Sequence, residues 1–317
     1  MLEARPSIIC VAAMNAMEEN VKKISSLTVL ALLVLSSTGM GCACSHTQCP
    51  AAAPAPKYSL SDLNEQLVLA TLWVQTSSEY RALCYQAYNL AKMLVDQDLA
   101  QVKTDKKRII IVDGDETTIQ ANEYEAYVIG HNLEYPTGWY DWVAGATGPA
   151  IPGGVEILNY AAKKGVETYY VTNRKVDLEY QGTLDNLRKL GYPNVDTEHV
   201  IYRQKGMNDD KQARQLDLEK KYHLVLYVGD NLDDYPESFF DKNIEDRYII
   251  TDKLKDQWGH RYVVLPNPMY GAWEKAIKNY KKGVPPEEQN RLRKALLRQW
   301  KPPATPPAAP PAPAEVK

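Results

Sequence analysis

Short stretches rich in β-branched and aromatic residues recur along the chain: Arg108–Asp113 (RIIIVD), Glu167–Thr172 (ETYYVT), His223–Gly229 (HLVLYVG) and Arg261–Pro266 (RYVVLP). In the first, Ile109 to Val112 are apolar without a break, as in a strand buried on both faces. Helical stretches separate these runs, over Gly154–Lys164 ended by Gly165, and over Asp177–Leu190 ended by Gly191. Strand alternating with helix predicts an α/β fold, a doubly wound and mainly parallel sheet with helices on both faces. Ahead of it, Leu63, Leu67, Ala70 and Val74 mark one helical face, and the pattern continues through Tyr80, Cys84 and Ala91. Asp62 with Glu65 three residues later resembles a capping box, so this N-terminal segment reads as one long helix or a hairpin of two.

Outside that region the pattern changes. Lys22 and Lys23 precede an apolar run, Leu27 to Leu35, followed by small residues and Cys42. Basic, apolar and small residues in that order read as a secretory signal, and the run is too short to span a bilayer. Met17 is the more natural start, since it brings the lysines next to the terminus. Cys42 sits where a bacterial lipoprotein is cleaved and acylated, with Cys44 as the second candidate. The expected organisation is a signal over 1–41, a lipidated and flexible Pro/Ala linker over 42–57, one folded domain over 58–300, and a disordered Pro/Ala-rich tail over 301–317.

Composition adds little. A hydrophobic content of 44% and a net charge of −3 are ordinary for a globular protein and give no basic stripe for a nucleic-acid polymer. The five cysteines make no disulfide framework, because Cys42, Cys44 and Cys49 crowd the anchor region and Cys84 reads as a small core residue.

The chemistry lies where the strands end. Asp113 and Asp115 follow the first strand, with Glu116 beside them; Thr172-Asn173-Arg174 follow the second; Gly229-Asp230-Asn231-Leu232-Asp233-Asp234 follow the third. In a doubly wound sheet these positions converge on the rim where ligands bind. Carboxylates crowded together are tolerable around a hard cation such as Mg²⁺, which prefers oxygen ligands. With Thr172 and a lysine facing an anion, the set describes a phosphoryl-transfer site. Lys205 and Lys211 both lie in the segment before the third cluster and are both candidates for that lysine. Each cluster alone has an ordinary reading, as a helix cap or turn; their joint occurrence in this order does not.

These residues carry a resemblance. Asp113-Gly114-Asp115-Glu116-Thr117, Val171-Thr172-Asn173-Arg174 and Gly229–Asp234 resemble the haloacid dehalogenase superfamily in its four-aspartate phosphatase form. Leu72–Lys92, Ala150–Glu156 and Val263–Glu274 extend the resemblance to the class C acid phosphatases, the outer-membrane lipoprotein 5′-nucleotidases. It implies a haloacid-dehalogenase-like core with a small cap and an N-terminal helical segment. It implies that Asp113 is the nucleophile and Asp115 the general acid and base, that Thr172, Asn173 and Lys211 bind phosphate, and that Asp234 supports the lysine. Lys211 with Arg214 fits the family's spacing better than Lys205 does. The Asp113 carboxylate, the Asp115 main-chain carbonyl and Asp230 are the implied Mg²⁺ ligands. Trp139 and Tyr270 fall near positions where the family clamps a nucleobase or pyridine ring; the ordinary alternative is that both are core aromatics. The implied activity is a Mg²⁺-dependent acid phosphatase acting on 5′-mononucleotides such as nicotinamide mononucleotide, exported and anchored to the outer membrane by lipid. Association as a homo-oligomer stays open. A phosphotransferase on the same site, or a non-catalytic ligand-binding surface lipoprotein, are the alternatives. Gly114 stands where the family carries a bulky apolar residue, which implies a looser loop.

Overall fold

The computed structural model describes residues 58–302; the leader, the linker with Cys42 and Cys44, and the tail from residue 303 lie outside the described residues. The N-terminal segment is broken rather than continuous: α1 (Leu60–Asn64), a 3₁₀ turn, α2 (Val68–Thr76) and α3 (Ser78–Gln101). The break is Ser77, whose extended backbone interrupts the helix and whose hydroxyl then caps α3 by accepting the Tyr80 N–H. The capping box at the start also sits three residues earlier than the sequence suggested. Ser59 is the cap and Asp62 its partner, each accepting the other's N–H.

Five parallel strands follow: β1 (Arg108–Val112), β2 (Val166–Lys175), β3 (Val200–Arg203), β4 (His223–Gly229) and β5 (Tyr262–Val264). Their order is β3-β2-β1-β4-β5, so the chain winds outward from β1 first one way and then the other. That reversal makes the crevice beyond the carboxyl ends of β1 and β4 the place where such a sheet holds ligands. The alternating pleat explains why β1 is apolar throughout. Ile110 and Val112 enter one core with Tyr88, Ala91, Leu158 and Leu226; Ile109 and Ile111 enter the opposite core with Tyr169, Leu218, Tyr227 and Tyr262. Cys84 lies fully buried in the first of these cores.

Helices α4 (Asn122–Val128) and α5 (Trp139–Gly145) fall between β1 and β2 and form the small cap, around a third core of Ala121, Tyr124, Val128, Trp139 and Val143. The cap is fixed to the main body where α5 meets α7 (Tyr180–Leu190), after α6 (Gly154–Lys163). A Cβ on Gly182 would lie 2.2 Å from the Val143 carbonyl oxygen, so only glycine permits this approach. The remaining helices are α8 (Gln212–Lys221), α9 (Ile244–Lys253), α10 (Ala272–Ile277) and α11 (Pro286–Ala295). All three apolar cores are built from residues within 58–302.

Candidate active site

Asp113 is the first residue beyond β1, and its N–H continues the sheet by donating to the Val228 carbonyl of β4. The loop that follows is tightly held. The Gly114 carbonyl accepts the N–H groups of Thr118 and Ile119 at 3.0 Å each and the Thr118 hydroxyl at 2.7 Å. Gly114 therefore does not loosen the loop. Its hydrogen makes room for Thr172, since a Cβ there would stand 2.9 Å from the Thr172 Oγ1 and 3.1 Å from its Cβ.

Three carboxylates follow β1, and they separate. Asp113 and Asp115 face a cleft of about 420 Å³. Glu116 turns away through a left-handed backbone (φ 53°) and is fully buried. Its Oε1 accepts the Ala121 N–H at 2.6 Å, tying the loop to the start of the cap, and its Oε2 has no partner. Burial, reinforced by Asp230, pushes its pKa well above the usual carboxylate range.

β2 runs three residues past Thr172, pairing Lys175 with Arg203 of β3. Thr172 and Arg174 are consequently on one face of a strand rather than in a loop, and both are buried. Arg174 forks onto Asp115, with Nη2 at 2.7 Å and Nε at 3.1 Å from its Oδ1, and stacks near Trp139 and Trp142. The Thr172 hydroxyl accepts the Arg174 N–H. Arg214 on α8 donates to the Thr172 carbonyl at 2.7 Å and to the Asn173 side-chain oxygen at 2.6 Å, while the Asn173 amide donates to the Asp209 carbonyl.

The two candidate lysines are separated by location. Lys205 is exposed on a loop, and Lys211, the residue capping α8, is 3% exposed. The Lys211 ammonium donates to Asp113 and, at 2.7 Å, to the Asp234 Oδ1. The Asp234 Oδ2 accepts the Asn231 N–H at 2.9 Å, closing a capping box over the 3₁₀ turn Leu232–Asp234. Asp233 turns away from this group and pairs with Arg247. Asp230 accepts from the Thr117 hydroxyl at 3.0 Å and the Asn267 amide at 2.9 Å.

Asp113, Asp230 and Asp234 each bring one oxygen within 4.8 Å of the others. Burial raises the pKa of Asp113 to about 7 against the pull of Lys211, with Asp234 and Asp115 adding to the rise. Asp230 is likewise pushed well above the usual carboxylate range, chiefly by burial. A lysine alone does not compensate this much buried negative charge, and an all-oxygen set of this kind suits a hard divalent cation. Asp234 already uses both oxygens, and the Asp115 carbonyl accepts from no group among the described residues.

Aromatic residues line the outer cleft. Tyr270 is partly buried there, and Tyr135, which the sequence reading passed over, is half exposed at its edge. Trp139 also lines the cleft, but it is 6% exposed and its indole N–H is spent on Glu179 at 2.6 Å. Glu125 of the cap faces the same space, its pKa pushed up to about 7 by burial and by Glu274 and Asp115.

Over residues 33–273 the chain matches the family described as HAD superfamily, subfamily IIIB (Acid phosphatase). Among solved structures it is similar to the class C acid phosphatase from Bacillus anthracis, at 34% identity and a TM-score of 0.72, covering 75% of this chain and 99% of that one. A structure of the class C acid phosphatase from Bacillus anthracis with tungstate bound is similar at 33% identity and the same TM-score, with the same coverage.

Proposed function

The chain belongs to the acid phosphatases of HAD superfamily subfamily IIIB and hydrolyses phosphate monoesters, and from that premise we propose that Asp113 is its nucleophile, that Mg²⁺ is its metal and that 5′-mononucleotides are its substrates. The observation that carries this reading is the placement of Asp113 at the sheet's switch point, its carboxylate held by Lys211 beside Asp230 and open to the cleft.

The Asp113 carboxylate attacks phosphorus and the bond to the leaving alcohol breaks, leaving an aspartyl-phosphate. Asp115, in its protonated form, gives its proton to the departing alkoxide, then takes one from the water that attacks the same phosphorus. Phosphate leaves and the Asp113 carboxylate is restored. Arg174 fixes the orientation of Asp115 through its two-nitrogen fork. The Thr172 hydroxyl and Lys211 ammonium, and the Asn173 amide once it releases the Asp209 carbonyl, donate to phosphate oxygens, with Arg214 and Asp234 holding these groups in place. The Asp113 and Asp230 carboxylates and the Asp115 carbonyl would hold Mg²⁺, which offsets the repulsion between a carboxylate nucleophile and a phosphate dianion. That a relative is described with tungstate, a tetrahedral oxyanion like phosphate, supports an oxyanion site in this family.

The cleft is large enough for a nucleoside monophosphate. Tyr270 and Tyr135 offer ring faces for a base or pyridine, and Trp139 serves as the wall behind them. The leader and Cys42 support export and lipid anchoring in the outer membrane, facing periplasm or cell surface, where stripping phosphate from nucleotides frees nucleosides for import. Phosphate release from nicotinamide mononucleotide by residues 45–317, with Mg²⁺ or with a chelator, tests metal and substrate together. The reading requires release that the chelator abolishes; release indifferent to chelator, or none from mononucleotides while simpler monoesters react, would remove the corresponding part.

A further inference from the structure

Near the end of the described residues, Arg291 to Lys301 read RLRKALLRQWK, with five cations and no acid from Gln289 onward to Lys301. Arg291 pairs with Glu288 and Arg293 with Glu274, but among the described residues no carboxylate pairs with Lys294, Arg298 or Lys301. Between these cations stand three of the more exposed large apolar side chains: Leu296 at 52%, Leu297 at 65% and Trp300 at 80% exposure. Scattered surface leucines need no explanation; two leucines and a tryptophan within five residues, set among unpaired cations, do.

Their position adds a second observation. The chain enters the described fold at Tyr58, whose hydroxyl accepts the Gln66 amide at 3.0 Å. Gln66 also donates to Asn290 of α11 at 2.9 Å and accepts from Arg293 at 2.8 Å. The entry point of the chain and the basic apolar segment thus share one face. Arg293 in turn binds Glu274, which lines the substrate cleft, so this face adjoins the cleft by a single ion pair.

We propose that Arg291–Lys301 lies against an anionic lipid bilayer, with Leu296, Leu297 and Trp300 at the boundary of headgroups and acyl chains and Lys294, Arg298 and Lys301 against lipid phosphates. Tryptophan and leucine beside lysine and arginine match the two zones of a membrane surface, and charge attraction to anionic lipid adds to apolar burial. A second copy of the chain fits poorly, because a two-fold contact here would set cation against cation. A nucleic acid would satisfy the cations and leave the leucines in water. The segment rests on the surface and does not cross it: no helix of the described residues is long and apolar enough to span a membrane.

The test uses residues 45–317, which retain all three cores and lack both candidate acylation cysteines, so binding is read without a lipid anchor. Failure here leaves acylation of Cys42 untouched, and absence of acylation leaves this proposal untouched. Cosedimentation is measured with vesicles of phosphatidylglycerol and phosphatidylethanolamine, and with phosphatidylcholine vesicles. Each cation at an anionic surface is worth about a fivefold change in partition. Arg298→Glu with Lys301→Glu therefore lowers partition at least about tenfold, as does Leu296→Ser with Leu297→Ser and Trp300→Ser, with hydrolysis of p-nitrophenyl phosphate unchanged in both. Raised salt weakens the binding. No binding to anionic vesicles, equal binding by the variants, or equal binding to phosphatidylcholine overturns the proposal. So does a concentration-dependent dimer in sedimentation velocity that the triple serine variant abolishes, since the segment would then belong to a second copy.

Discussion

Replacing Lys211 with methionine removes the ammonium standing between two buried carboxylates. The Lys211 side chain is 4% exposed, and those of Asp113 and Asp234 are 11% and 5% exposed. Removing one partner of a buried ion pair costs roughly 3–5 kcal/mol, because the remaining charge is left without compensation. The pH dependence follows from Asp113. Its pKa in the intact site is about 7, raised from 3.8 by burial despite Lys211, and removing Lys211 raises it further. A folded pKa above the unfolded value contributes stability at low pH that is lost as pH rises through the folded pKa. Wild type and variant therefore lose stability in parallel from about pH 4 to 7. Above that the wild type levels off, and the variant keeps losing about 1.4 kcal/mol per pH unit. Thermal unfolding of chelator-treated protein should give a Tm deficit of roughly 6 °C or more at pH 6, widening by several degrees at pH 8.5. A deficit that does not change with pH, or no deficit, would refute the charge argument. Loss of phosphate release without a Tm change would place Lys211 in catalysis alone.

Other perturbations separate the parts of the site. Gly114→Ala forces a Cβ to within 2.9 Å of the Thr172 hydroxyl; overpacking of this kind costs about 1–3 kcal/mol, and kcat should fall about tenfold or more as the Thr172 donor moves. A variant with wild-type kcat and Tm would mean that Thr172 yields freely. Tyr270→Ala should raise KM for a mononucleotide about tenfold, at roughly 1–3 kcal/mol per stacked ring, and leave KM for glycerol phosphate unchanged. Equal losses on both substrates would make Tyr270 a structural aromatic.

Much of the fold was legible because its strands are apolar on both faces. The run Ile109–Val112 must bury two sides, and it does so in two separate cores. β3 escaped notice because it is only four residues at the sheet's edge, half of them only partly buried, with no long apolar run to mark it. The extension of β2 through Arg174 was hidden for a related reason: its polar residues look like a loop until β3 pairs with them. The carboxylate clusters were visible as unusual chemistry at strand ends. Their partners were not, since Arg174 reaches an aspartate 59 positions away and Arg214 reaches back 42 to the Thr172 carbonyl. Family spacing favoured Lys211 over Lys205, and the turn into α8 buries the first and exposes the second. Gly114 read as looseness because sequence carries no record of what packs against a missing side chain.

The central claim is that Asp113 carries the phosphoryl group, and trapping that group on the chain tests it most directly. Enzyme mixed with phosphate-labelled mononucleotide and Mg²⁺ is quenched in acid and digested, and the labelled peptide is mapped. The account predicts label on Asp113 in the wild type, longer-lived label in Asp115→Asn, where the water is no longer activated, and none in Asp113→Asn. Label on another residue, or phosphate release persisting in a folded Asp113→Asn protein, would contradict it.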